Sequence, residues 1–238
     1  MILRLIKCGI AFKSCICAVM TKEKRFILVA FITGVTPFLL NGFYNPFIAR
    51  FPFAYWATDI IAWIILPATL LIVGIRKNYI SFQDLGLRTS NRYLPIILIS
   101  SIFACPIFHY TYTHSYAFAV SAYPVNHFNV NFSYQYLIPT APPWSYITIV
   151  YFSLTAGFVE EILYRSLLFN LFENTFLQRI VFLITSSIIF SLVHWEGGVH
   201  NLHATLIVGA VAGIIFLLTK NIWPCIVGHV FTNLIHYS

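Results

Sequence analysis

Ala156-Gly-Phe-Val-Glu160-Glu161-Ile-Leu-Tyr-Arg165 sets two adjacent carboxylates and a guanidinium in an otherwise apolar stretch. Ser145-Tyr-Ile-Thr-Ile-Val-Tyr-Phe-Ser-Leu-Thr155 precedes it and Ser166-Leu-Leu-Phe-Asn-Leu-Phe172 follows. Burying one carboxylate at membrane depth costs about 2.5–3.5 kcal/mol on insertion scales. On a helix Glu161 and Arg165 lie four residues apart on one face and pair. Glu160 points about 100° away, toward a different neighbour. Two adjacent carboxylates in low dielectric do not both ionise cheaply. Arg165 holds Glu161 ionised, which leaves Glu160 tunable toward a general base. The alternative is a cytoplasmic helix end with an ordinary ion pair, and the apolar continuation to Phe172 argues against it.

The surrounding chain supplies the lipid setting. Of 238 residues, 59% are hydrophobic and 9% charged, against about 25% charged in soluble domains. This is an all-α, polytopic membrane helix bundle. Apolar runs near 26–42, 54–75, 94–112, 145–172, 178–195, 204–219 and 222–237 predict about seven transmembrane helices, eight being the alternative. The last two runs are short. The formal charge of +7 would suggest a nucleic-acid partner in a soluble protein; here it reads as basic residues retained on one side of a membrane. With the amino terminus in the cytoplasm, all of the 14 Lys and Arg residues but Arg50 fall on or near the inner side. That predicts an integral protein of the cell membrane, with membrane lipids as neighbours and no nucleic-acid partner.

Three parts follow. Residues 1–25 form a cytoplasmic leader, 26–144 the amino-terminal spans with an outward loop, and 145–238 a catalytic membrane core. Within the leader, Arg4, Lys7 and Lys13 break up the apolar residues, and Met20-Thr-Lys-Glu-Lys-Arg25 reads as a natural start, so residues 1–20 are expected to be dispensable. The segment 113–143 has no Lys or Arg and is read as an outward-facing, partly structured loop. Cys8, Cys15, Cys17, Cys105 and Cys225 show neither metal nor disulfide spacing.

Two further clusters occupy the later spans: Phe190-Ser-Leu-Val-His194 and His229-Val-Phe-Thr-Asn233. Each alone is weak. Together with Glu160 they put carboxylate, imidazole and amide groups on three spans, a set that converges only around a shared interior cavity. For Glu160 and His194 to meet, the fourth span must be long, raising Glu160 toward mid-membrane.

Glu-Glu-x-x-x-Arg, Phe-x-x-x-His and His-x-x-x-Asn, in this order on successive helices, resemble the CAAX prenyl protease and bacteriocin-processing family of intramembrane proteases. The family includes prenyl endopeptidases and prokaryotic members linked to self-immunity. The resemblance covers mainly residues 145–238, and Ser81-Phe-Gln-Asp-Leu-Gly-Leu-Arg88 also looks like a loop of prokaryotic members. It implies an endopeptidase acting on a membrane-associated or lipid-modified peptide or protein. Glu160 and His194 would activate water, His229 and Asn233 would stabilise the oxyanion, and Glu161 and Arg165 would support them. A non-catalytic immunity or scaffold protein of the same fold is the alternative.

A zinc site is the alternative chemistry: His194, His229 and one glutamate as ligands, the other glutamate as base. Asn233 is a poor zinc ligand and the chain lacks His-Glu-x-x-His, so no cofactor is expected. His194-Trp-Glu196 with Pro224-Cys225 imitates part of a deaminase signature, but the second cysteine is missing. His200 and His203 read as outward loop or interfacial residues, like His109, His114 and His127.

Overall fold

The computed structural model describes residues 20–87, 94–130 and 132–238. Expectations resting on residues 1–19, Arg88 and Arg92 lie outside the described residues. Among the described residues the chain forms seven long helical segments and no strand. They are α1 (Lys22–Ile48), α2 (Pro52–Arg76), α3 (Leu94–Ala122), α4 (Trp144–Leu167), α5 (Phe176–Leu192), α6 (Gly198–Thr219) and α7 (Trp223–Tyr237). Thr21 and Thr175 cap α1 and α5, each Oγ1 accepting a backbone N–H from three residues on. A left-handed Lys220 ends α6 and Pro224 opens α7.

The helices expose the apolar surface that lipid covers. On α3, Ile99, Ile102 and Phe103 are 57–69% exposed while Ala104 and Phe108 on the opposite face are buried. A water-soluble monomer does not carry such continuous apolar faces; the chain is an integral membrane protein. Four of the helices, α1 to α4, and a segment running from Trp195 to Thr219 through α6 are long and apolar enough to cross a bilayer.

The structure changes several boundaries. The α6 segment, expected to be short, has 22 residues from Gly198, because the Gly-Gly pair starts the helix before the apolar run begins. Helices α5 and α7 have 17 and 15 residues, about 25 and 22 Å at 1.5 Å per residue. Both are shorter than the ~30 Å hydrocarbon core. Helix α3 continues to Ala122, so the loop is 123–143 rather than 113–143. Its residues 113–122 carry no Pro or Gly to stop a helix.

Close helix approaches fix where the polar residues meet. A Cβ on Gly157 would come within 2.5 Å of Val230 Cγ2 and 3.4 Å of the Ile226 carbonyl, so only glycine permits this α4–α7 approach. Gly228 does the same between α7 and α3, where a Cβ would stand 3.0 Å from the Ala104 carbonyl. Helix α4 changes to a π-helical turn over Ile162–Leu167, immediately after the two glutamates. Such turns frequently sit at functional sites. The Ser81–Leu87 loop docks beneath it: Ser166 Oγ donates to the Leu85 carbonyl at 2.7 Å and Asn170 Nδ2 to the Asp84 carbonyl at 2.9 Å.

Candidate active site

Five of the six residues singled out in the sequence, and Phe190, meet in one interlocked group. Glu161, completely buried, lies at its base. Its Oε1 is 2.8 Å from His229 Nδ1, and its Oε2 is 3.2 Å from Arg165 Nε. The i,i+4 pair expected within α4 therefore forms, and it extends across to α7. Arg165 is also completely buried, and its guanidinium carbon stacks 4.5 Å from the centre of the Phe190 ring. That cation–π contact steadies a charge that the bilayer would otherwise expel.

Phe190 has a second function in the packing. Its ring packs against both imidazoles, 4.9 Å from the His194 ring and 5.9 Å from that of His229. His194 falls just beyond the end of α5, where Ser191, Val193 and Trp195–Gly197 make a tight turn into α6. Its Nδ1 donates to the Phe190 carbonyl at 2.7 Å. This fixes the neutral ring as the Nδ1–H tautomer and leaves the Nε2 lone pair facing Glu160, whose Oε2 is 3.7 Å away. Trp195 Nε1 donates to the Leu39 carbonyl at 2.9 Å and anchors this turn to α1.

Glu160, His194, His229 and Asn233 line a cavity of about 670 Å³. Asn233 is partly exposed to it and makes no hydrogen bond to the described residues. The cavity is large enough for several side chains of a peptide. Its walls are rich in aromatic side chains, with Phe38, Trp63, Phe108, Tyr112 and Tyr116 among them.

Several lining residues were not picked out by sequence reasoning. Asp59 sits in the apolar run of α2 and accepts from Tyr55 Oη at 3.2 Å and Tyr151 Oη at 2.6 Å. The cost of a charge within a span was the available signal. Glu196, read only as part of a false deaminase signature, is 7% exposed and lines the cavity. His109 also lines it, from α3, rather than lying in a loop.

The 123–143 segment is not simply outward-facing. It folds over the cavity and contributes Asn129, Phe132, Ser133, Tyr134 and Gln135 to the lining. Val130 N donates to the Glu196 carbonyl at 3.0 Å, Asn126 Nδ2 to the Gly197 carbonyl at 3.1 Å, and Gln135 Nε2 to the His236 carbonyl at 3.2 Å. His200, on the first turn of α6, is buried and contacts the Tyr123 carbonyl at 2.8 Å through Nε2. Its task is to hold this segment.

Among the described residues no three His, Cys, Asp or Glu side chains gather as metal ligands. His229 commits Nδ1 to Glu161 and His194 commits Nδ1 to a backbone carbonyl.

No curated protein and no solved structure matches the chain. Residues 142–235 match the family model described as Type II CAAX prenyl endopeptidase Rce1-like. That stretch contains all seven residues of the three motifs, the whole of α4 to α6, and α7 as far as Ile235. Over residues 142–235, the membrane core that carries the three motifs, this chain is therefore similar to the Rce1-like type II CAAX prenyl endopeptidases.

Proposed function

We propose that the protein is an intramembrane endopeptidase in which Glu160 and His194 activate a water for attack on a peptide carbonyl. The observation that supports this most is the 3.7 Å separation of Glu160 Oε2 and His194 Nε2 at the cavity wall, with Nδ1 already used. Both residues line the cavity, and a small turn of the Glu160 carboxylate, whose Oε2 is buried, lets one water donate a hydrogen to each. Glu160 takes a proton as the oxygen attacks the carbonyl carbon, and it returns that proton to the departing amine.

The oxyanion forms on the opposite side of the carbonyl. His229, as imidazolium against Glu161, offers Nε2–H, and the Asn233 amide offers a second donor from the same face of α7. Donors held rigid in a water-poor cavity stabilise such charge far better than in bulk water. Arg165 and Glu161 hold His229 rather than touching the substrate. No serine or cysteine nucleophile and no metal enters this scheme.

The substrate is a membrane-associated or lipid-modified peptide or protein, and the protein resides in the cell membrane with its amino terminus in the cytoplasm. Comparing peptides in membranes from cells making the wild type or Glu160→Ala tests the reading. Products present only with the wild type are expected; identical peptide sets with equal expression would refute it.

A further inference from the structure

The cavity carries three carboxylates in its wall, those of Asp59, Glu160 and Glu196, and no Lys or Arg among the described lining residues. Asp59 accepts from two tyrosine hydroxyls, and Glu160 faces His194. Arg165 is turned away, occupied with Glu161. Glu196 differs. It is 7% exposed with the Asn41 side chain beside it, yet its Oε2 receives no hydrogen bond from a described residue. Asn41, 5% exposed, lines the same cavity and also has an acceptor, Oδ1, without a donor.

A buried carboxylate oxygen without a donor is costly, and the cost falls when a ligand brings one. Here the ligand's complement is a cation with several N–H donors. Trp63, Tyr112 and Tyr116 in the same lining are ring types that favour a desolvated cation. A carboxylate-ended or acidic segment would find no basic side chain in the lining.

We propose that Glu196 is a specificity residue that receives a lysine or arginine side chain of the substrate, beside the bond being cut. The inference rests on the endopeptidase reading of this cavity. Glu196 lies two residues beyond His194 on the same tight turn, and its own carbonyl is held by Val130 N at 3.0 Å. The cationic side chain therefore docks within a residue or two of the scissile peptide, and its charge fixes the register of the backbone over Glu160.

The test uses full-length protein in a neutral detergent and a pair of fluorescent apolar peptides, identical except for one lysine or its neutral isostere norleucine. Binding is read by anisotropy and cleavage by mass spectrometry. The wild type is expected to bind the lysine peptide about tenfold or more tightly, as a charge-assisted hydrogen bond allows. Glu196→Gln is expected to bring that ratio close to one, and Glu196→Asp to keep part of it. A wild-type ratio of one overturns the proposal and needs no variant to fold; so does an unchanged ratio in Glu196→Gln. Cleavage of both peptides without preference defeats this inference alone. Preference without any cleavage defeats the protease reading and leaves the cation site standing.

Discussion

Glu161 on α4 and His229 on α7 are joined at 2.8 Å in a buried network that the completely buried Arg165 completes. Removing one partner of a buried pair leaves the other charge uncompensated, which typically costs about 3–5 kcal/mol. Arg165→Ala and Arg165→Leu are therefore expected to lower the thermal midpoint of the detergent-solubilised protein sharply, together with its yield. Midpoints within error of the wild type would contradict the network.

Glu160 and His194 form no such network. Glu160→Gln and His194→Ala are expected to leave the thermal midpoint nearly unchanged while lowering kcat by about 10²–10⁴, the usual contribution of a positioned base. Parallel losses of stability and activity would instead make them packing residues.

Asn233 has an amide at the cavity without an internal partner, so little of the fold depends on it. Asn233→Ala is expected to lower kcat about 10²–10³-fold, as loss of an oxyanion donor does, with a smaller change in KM. A change confined to KM would make it a substrate-binding group.

Much of this site was legible beforehand, for a physical reason. Charge within an apolar run is costly, so Glu160, Glu161 and Arg165 stood out, and the i,i+4 rule gave the Glu161–Arg165 pair that the structure has at 3.2 Å. Helix spacing alone does not say which residues face each other across helices. The Glu161–His229 contact and the packing of the Phe190 ring on both imidazoles come from the Gly157 crossing and the turn after α5, which no periodicity encodes. Asp59 obeyed the same cost argument and was overlooked inside α2. Glu196 was hidden because a turn residue next to His194 looks like an outer loop until the 123–143 segment is seen closing over it.

Gly157 gives a test of the crossing itself. A methyl there would meet Val230 Cγ2 at 2.5 Å, so α7 must shift by a few tenths of an ångström or more. Gly157→Ala is expected to reduce cleavage at least tenfold, since misplacement of about 1 Å already costs about 10²-fold. Gly157→Ala paired with Val230→Ala is expected to recover part of the rate. A fully active Gly157→Ala would show that the α4–α7 spacing does not set the site.

Zinc chemistry and glutamate chemistry separate under chelation. Treatment of purified protein with 1,10-phenanthroline or EDTA is expected to leave the cleavage rate within about twofold. Stoichiometric zinc in the purified protein, with activity lost on its removal and restored on its return, would contradict the metal-free scheme.

The most direct measurement is single-turnover cleavage of one membrane peptide by purified protein reconstituted in lipid vesicles, comparing wild type with Glu160→Gln at equal folded amounts. The wild type is expected to cut at a single peptide bond, and the variant to do so at a rate at least 10²-fold lower. Equal rates in the two proteins, or no cleavage by either across peptides that bind the cavity, would contradict a hydrolytic role for Glu160.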